Sequence, residues 1–122
     1  MLKLMKLILQ TLLLLITWKF AYASEKYNLV YVREQGCFYC EIWDEEIAHI
    51  YPKTSEGQFA PLIRLDITNY HNFMILIDPI IFTPTFVLID SSNEISRIEG
   101  YIGDDLFWGM LEVMLKRETN YK

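Results

Sequence analysis

Four stretches of the chain have the apolar patterns that predict β-strands. Residues 27–32 form a continuous run of β-favouring side chains, as expected for a strand covered on both faces. Residues 61–67 alternate, with isoleucine and leucine on one side and arginine and aspartate on the other. Residues 85–89 predict a third, buried strand, and the turn-forming residues 90–93 bring residues 94–99 back beside it as an antiparallel edge.

An amphipathic helix is predicted from Cys37 to Pro52, which is followed by a polar loop over residues 53–57. Acidic side chains lie on the outer side of its early turns, where they complement the positive start of a helix. The inward face recurs at three- and four-residue spacing and consists of Cys40, Trp43, Ile47, Ile50 and Tyr51.

Two further helices are predicted nearer the C-terminus. Residues 70–77 indicate a short helix that Pro79 ends, although their apolar side chains show no clear period. The closing helix begins at Gly103 or Asp104 and continues through Arg117, with basic residues at its negative end. Its predicted inward face consists of Leu106, Phe107, Met110, Leu111, Met114 and Leu115.

The first residues differ from the rest of the chain. Lys3 and Lys6 precede an apolar run over residues 7–16, which is too short for a membrane span, and Ala21-Tyr22-Ala23 has small residues where a signal peptidase cleaves. We therefore predict that residues 1–23 are a signal peptide and that residues 24–122 form one exported domain. An uncleaved membrane anchor is the alternative.

Charge and export narrow the classes of function. Without Lys3, Lys6 and Lys19 the chain keeps eight basic and sixteen acidic residues, a net charge of −8, which argues against nucleic acid as a partner. A disulfide persists in an oxidising compartment unless electrons are delivered to it. In such a compartment, the presence of two cysteines alone does not distinguish a structural disulfide from a redox-active one.

Cys37 and Cys40 are the candidate reactive residues. They are three residues apart at the predicted start of a helix, so their sulfurs lie on one face and can form a disulfide. A bridge across so short a loop removes little entropy from the unfolded chain, whereas a small exposed ring is easily reduced. Exchange chemistry is thus favoured over a structural disulfide. The histidines, His49 and His71, have spacings that fit no zinc site.

The order strand, helix, strand, helix, strand, strand, helix, with Cys-x-x-Cys at the first strand-to-helix turn, resembles the thioredoxin-like superfamily. Within it, the residues resemble the SoxS-type periplasmic thioredoxins of bacterial sulfur oxidation. The matching motifs are Glu34-Gln35-Gly36-Cys37-Phe38-Tyr39-Cys40, Tyr51-Pro52, Glu56-Gly57, Ala60-Pro61-Leu62, Thr83-Pro84-Thr85-Phe86 and Gly100-Tyr101-Ile102-Gly103. The implied fold is α/β, a thioredoxin fold with a central mixed four-stranded sheet flanked by helices.

This resemblance implies roles for individual residues. Pro84 would be a cis-proline facing the cysteines, where an ordinary trans proline at a strand start is the alternative. The predicted substrate-binding residues are Thr83, Pro84, Thr85, Phe38, Tyr39 and Gly100. Cys37 at the helix start would be the nucleophile and Cys40 the second, more buried thiol. Tyr101 is as compatible with packing as with the groove.

One position departs from ordinary thioredoxins, which have a buried acid in the first strand where this chain has Tyr31. Glu34 is the nearest candidate to accept the proton of Cys40, although a glutamate in such a loop is commonly just solvated.

The expected activity is thiol-disulfide exchange, with the Cys37–Cys40 disulfide as redox centre and no other cofactor. Phe38-Tyr39 offers no cation to stabilise a thiolate and the neighbouring Glu34 and Glu41 oppose one, so we expect a reductant.

The implied partners are a disulfide-bearing periplasmic protein, such as a sulfur-oxidation carrier, and a membrane electron donor of the thiol-reducing type. A monomer is expected. The alternatives are a non-catalytic binding module with a closed disulfide, and a disulfide oxidase or isomerase.

Overall fold

A computed structural model describes residues 1–20 and 26–122 of the chain, with only the backbone of residues 16–20. Four strands are present: β1 (Tyr27–Arg33), β2 (Leu62–Asp66), β3 (Thr85–Asp90) and β4 (Asn93–Glu99). They form one mixed sheet in the order β2-β1-β3-β4, in which β1 and β2 are parallel and the other pairs antiparallel. All four predicted strands are confirmed, each to within two residues at its ends.

The helices are α1 (Leu2–Phe20), α2 (Phe38–Trp43), α3 (Ser55–Phe59) and α4 (Asp104–Glu118). Helix α2 continues into a π-helical turn, Asp44–Ala48, and a 3-10 turn follows at Tyr51–Lys53. The mixed four-stranded sheet with flanking helices confirms the predicted fold class, although the helix predicted between β2 and β3 does not form.

The two faces of the sheet bury different cores because successive side chains of a strand point to opposite sides. Leu29 and Tyr31 of β1 face α2 and α4, together with Phe86 and Leu88 of β3. The other face is formed by Val30, Val32, Val87 and Ile89, and it is covered by Tyr70, Met74 and Ile80. The predicted burial of β1 and β3 on both faces follows from this arrangement.

The predicted polar loop after Pro52 is wrong, because residues 55–59 form helix α3. Thr54 begins this helix: its hydroxyl oxygen accepts a hydrogen bond from the Gly57 N–H at 3.0 Å. The prediction for the preceding helix is wrong at Ile50, which is exposed, whereas Cys40, Trp43, Ile47 and Tyr51 are fully buried. Regular α-helical geometry ends before Ile50, so the period of four no longer predicts which way that side chain points.

The predicted helix over residues 70–77 is wrong. Only a 3-10 turn forms there, Tyr70–Asn72, and the chain then runs irregularly to β3. Backbone hydrogen bonds join Ile75 to Ser92 and Glu94, so this part of the segment is held beside β4. It covers the second core in place of a helix.

A buried ion pair braces the same segment. Glu94 has a buried side chain, and its carboxylate accepts hydrogen bonds from the Arg97 guanidinium and, at 2.8 Å, from the Ile77 N–H. Arg97 also donates to the carbonyls of Asp78 and Pro79, at 2.5 and 3.3 Å. These contacts supply backbone partners that a helix would otherwise provide.

The inward face predicted for α4 is correct for Phe107, Leu111, Met114 and Leu115, which are buried. It is wrong for Leu106 and Met110, whose side chains are 44% and 42% exposed. Both side chains lie beside Ile98 of β4, the edge strand, where the sheet is too narrow to cover the whole apolar stripe of the helix.

Helix α1 comprises most of the predicted signal peptide, and its side chains from Leu2 to Leu15 are exposed. The predicted cleavage motif, Ala21-Tyr22-Ala23, lies outside the described residues. Among the helices that the structure describes, none is long and apolar enough to cross a membrane. The boundary between residues 23 and 24 therefore stays a prediction.

Candidate active site

Three loops converge at one end of the sheet because of the strand register. Val32, near the end of β1, pairs with Thr85 at the start of β3, and Thr85 pairs with Glu99 at the end of β4. The loop after β1 therefore lies beside the segment that precedes β3, and beside the residues that follow β4. These are the segments that contain Cys37, Pro84 and Gly100.

Cys37 and Cys40 are joined by a disulfide with a Cα–Cα distance of 5.2 Å. Gly36 precedes them with a φ of +78°, a conformation that favours glycine, and turns the chain from β1 into α2. Cys37 is the N-cap residue of α2, and the Cys40 N–H points at the Cys37 sulfur, 3.2 Å from it. A negative charge on this sulfur would be stabilised by that N–H and by the start of the helix.

The two cysteines differ in access to solvent. Cys37 is partly exposed, whereas Cys40 is fully buried. The Tyr31 hydroxyl donates a hydrogen bond to the Cys40 carbonyl at 3.2 Å, which ties the first turn of α2 to the sheet beneath it. A substrate disulfide can therefore reach Cys37 first.

Tyr31 is fully buried against the rings of Trp43 and Phe86. Burial, with a smaller contribution from the Asp44 carboxylate, raises the pKa of Tyr31 to about 12. Asp44 is itself paired with the Arg64 guanidinium at 2.9 Å. Among the described residues the one buried acid is Glu94, which pairs with Arg97. A neutral phenol thus lies next to Cys40, at the position where the resemblance leads us to expect a buried acid.

The segment before β3 lies next to the cysteine loop. The Thr83–Pro84 peptide bond is cis, and the Thr83 hydroxyl donates a hydrogen bond to the Glu34 carboxylate at 3.4 Å. The Gly100 N–H donates to the Pro84 carbonyl at 2.7 Å. Gly100 has a φ of +84°, so glycine suits this close approach.

Two pockets that share three lining residues lie at this end of the molecule, and together they are called the groove. Its first part has a volume of about 440 Å³ and is lined by residues on both sides of it, Tyr39, Phe82, Thr83, Glu99, Gly100, Tyr101 and Ile102. The second part, of about 340 Å³, shares three of them and adds Ile42, Glu46 and Gly103. The Tyr101 hydroxyl donates a hydrogen bond to the Glu46 carboxylate in this second part.

The structure brings only some of the predicted substrate-binding side chains to this groove. Tyr39, Thr83 and Gly100 line it, and Phe38 is exposed beside Tyr39. Pro84 and Thr85 are buried, and the Thr85 hydroxyl donates a hydrogen bond to the Phe82 carbonyl at 2.6 Å. Their substrate-binding roles stay predictions, and the Thr85 side chain braces the loop.

Glu34, the predicted proton acceptor, is exposed, and the hydrogen bond from Thr83 occupies its carboxylate at the edge of the groove. Its catalytic role stays a prediction. Sequence reasoning missed Phe82, Glu46, Glu99 and Ile102 as groove residues. The neighbouring Thr83-Pro84 and Gly100-Tyr101 motifs were the available signal for three of them.

Metal ligands do not cluster in the part of the chain that the structure describes: no three His, Cys, Asp or Glu side chains come together as a metal site would need. The reactive groups that the structure does show at this site are the two cysteines. A partly exposed cysteine bonded to a buried one, in a loop whose Tyr39 lines an open groove, is suited to thiol-disulfide exchange.

Comparison with solved structures supports this interpretation. The chain is similar to the periplasmic thioredoxin SoxS from Paracoccus pantotrophus, crystallised in its reduced form, with 42% identity and a TM-score of 0.71. The match covers 75% of this chain and 97% of that one. No protein-family model matches the chain, and no curated protein matches it.

More distant structures share the fold. Fasciola hepatica thioredoxin is 16% identical, with a TM-score of 0.55, over 79% of this chain and 84% of that one. Thioredoxin NaTrxh from Nicotiana alata is also 16% identical with a TM-score of 0.55, over 85% and 86%. At such identities the likeness concerns the fold alone.

Proposed function

Because the chain belongs to the thioredoxin family, and within it to the SoxS-type periplasmic thioredoxins, we propose that this thiol-disulfide oxidoreductase reduces disulfides of a partner protein in the periplasm. The observation that carries the proposal is the unequal exposure of the two cysteines, since Cys37 is partly exposed and Cys40 is fully buried.

The proposed reaction starts from the dithiol form. The Cys37 thiolate attacks one sulfur of the substrate disulfide, a mixed disulfide forms, and the other substrate sulfur leaves as a thiolate that takes up a proton. Cys40 then loses its proton and attacks the Cys37 sulfur, which releases the second substrate thiol. Two electrons and two protons pass to the substrate, and Cys37 and Cys40 end as a disulfide.

The electrostatics around Cys37 favour this direction. The Cys40 N–H and the start of α2 are the stabilising groups for a thiolate, whereas Phe38 and Tyr39 bring no positive charge. Glu34 and Glu41 are both exposed and close to Cys37 in sequence, and their negative charges disfavour a thiolate at Cys37. A thiolate that is only modestly stabilised belongs to a disulfide that is hard to reduce, and hence to a good electron donor.

The proposal includes partners on both sides of the reaction. Downstream is a disulfide-bearing periplasmic protein, for which a sulfur-oxidation carrier is the first candidate. Upstream is a thiol-reducing membrane protein that regenerates the dithiol, because a disulfide in an oxidising compartment is not reduced without such a donor. Glu34 is proposed to accept the proton of Cys40.

We predict that Cys40→Ser accumulates mixed disulfides with periplasmic proteins and that Cys37→Ser does not, because Cys37 is partly exposed and Cys40 is fully buried. Non-reducing gels of each purified variant, followed by mass spectrometry, measure the captured partners. Cys37→Ser is the matched control. Equal capture by both variants, or none by either, would instead support a binding module.

The direction of transfer predicts a low reduction potential. We expect a value nearer to the ~−270 mV of thioredoxin than to the ~−120 mV of a strong oxidant, because no cation stabilises the Cys37 thiolate. Equilibration of the protein with glutathione redox buffers measures it. A potential close to that of the strong oxidant would assign the protein as an oxidase.

A further inference from the structure

The groove next to the cysteine loop is lined in part by apolar side chains that are open to solvent. Ile102 is 79% exposed, and other large apolar side chains around the cysteine loop are also open. They are Phe38, Tyr39, Ile81 and Phe82. Exposed apolar side chains grouped in this way mark a surface that another molecule covers.

The charges along this groove have one sign. Glu99 lies in the first part and Glu46 in the second, and Glu34 reaches the edge through its hydrogen bond with Thr83. Among the described residues that line the groove there is no lysine, arginine or histidine.

One of the groove carboxylates, Glu99, also has a basic neighbour. Arg97 lies 3.5 Å from Glu99, yet its guanidinium is committed to the buried Glu94 carboxylate and to two backbone carbonyls. Glu99 stays 44% exposed, so its charge remains available to a molecule in the groove.

We propose that the protein substrate presents its disulfide cysteine within an apolar segment that also contains lysine or arginine. This proposal rests on the function proposed above and concerns the substrate class of the same site. The apolar side chains fill the groove between Tyr39 and Ile102, and the basic side chains lie against Glu46 and Glu99. An apolar contact surrounded by charges of one sign selects a partner with the complementary charge and raises its rate of association.

The test uses three synthetic peptide disulfides, each a homodimer of a short Leu/Phe-flanked cysteine peptide labelled so that its fluorescence rises on reduction. They differ only in having two lysines, two glutamines or two glutamates beside the apolar residues. The protein is reduced beforehand, so that no upstream donor is required. The second-order rate constant for each peptide is then measured at low salt and at about 1 M salt, where charges are screened within ~3 Å.

We expect the lysine peptide to react about tenfold faster than the glutamate peptide at low salt, with the ratio approaching one at high salt. Glu46→Gln combined with Glu99→Gln should lower the ratio about threefold or more. Glu112→Gln combined with Glu118→Gln removes the same charge from α4 at residues that do not line the groove, so it should leave the ratio nearly unchanged.

Equal rates for all three peptides would overturn the inference and leave the oxidoreductase function in place. Equal effects of the two double variants would also overturn it, because net charge would then be the cause. If the glutamine peptide is not reduced at all, the proposed reductase function fails, and the inference with it. The salt dependence of the unmodified protein decides the matter even if Glu46→Gln prevents folding.

Discussion

Tyr31 is part of the hydrophobic core and also contacts the backbone of a reactive cysteine. Its ring is packed between Trp43 and Phe86, and its hydroxyl holds the carbonyl of Cys40. A phenol with a raised pKa remains a hydrogen-bond donor at neutral pH, whereas a buried carboxylate would act as an acceptor. We infer that Tyr31 positions Cys40 through its backbone.

We predict that Tyr31→Phe lowers the free energy of unfolding by about 1 kcal/mol, because one buried hydrogen bond is lost while the Cys40 carbonyl still accepts from the Asp44 N–H. Urea denaturation measures this change, and alkylation of the reduced protein reports the reactivity of its cysteines. Tyr51→Phe is the control: it removes a similar buried hydrogen bond, to Ala60, away from the disulfide. Alkylation rates should change in Tyr31→Phe and not in Tyr51→Phe.

The raised pKa of Tyr31 also predicts a loss of stability in alkali. The pKa of the Tyr31 phenol is about 12 in the folded protein, whereas in the unfolded chain this pKa has its ordinary value of 10.0. The protonated phenol therefore contributes its full share to the free energy of unfolding below pH 10. This share is lost as pH rises towards 12, by at most ~1.4 kcal/mol per pH unit. Urea denaturation between pH 9 and 12 should show a smaller slope for Tyr31→Phe. Identical slopes would contradict the assignment.

At the scale of single elements, two glycines in helices have opposite surroundings. A Cβ at Gly57 in α3 would lie 1.8 Å from the Tyr51 carbonyl oxygen, because the 3-10 turn packs directly on this helix. A Cβ at Gly109 in α4 would meet no atom within 4 Å. The first glycine is required by packing, and the second only weakens its helix.

We predict that Gly57→Ala destabilises the protein by about 2–3 kcal/mol, since backbone atoms would have to move. Gly109→Ala, the matched control, should stabilise it by about 0.5–1 kcal/mol because alanine loses less entropy in a helix. Urea denaturation of both variants measures the difference. Similar effects of the two substitutions would show that α3 does not pack against Tyr51 as described.

At the scale of the whole molecule, the chain has two parts of different character. Residues 26–122 form an acidic α/β domain, whereas α1 is an apolar helix with basic residues near its start and exposed side chains from Leu2 to Leu15. Apolar side chains that remain in water gain nothing from folding. A role for α1 as a signal peptide, outside the folded domain, stays a prediction.

We predict that the exported protein begins at or near Ser24, because small residues precede that position at the predicted cleavage site. The intact mass of protein purified from the periplasm measures the cleavage point. A protein with Ala23→Arg, which places a large charged residue at that site, should retain its leader. A periplasmic species of the unmodified protein that still contains residues 1–23 would instead support an anchored form.

Much of this protein follows from its sequence alone. The four strands, the α2 and α4 helices and the cysteine pair at the end of β1 were predictable, because apolar period and turn residues are local properties. The resemblance carried by Thr83-Pro84-Thr85 added the loop opposite the cysteines. Together these local signals define the fold and the reacting pair.

Other features were decided only by the tertiary structure. Residues 70–82 have helical composition in part, yet they are held as an irregular segment by Glu94 and Arg97, which come later in the chain. Leu106 and Met110 share the apolar stripe of α4, but the width of the sheet decides that they stay exposed. The acidic side chains that line the groove come from segments far apart in sequence, so no local pattern predicts that they lie together. Periodicity shows which side chains share a face, whereas the packing of neighbouring elements determines whether that face is covered.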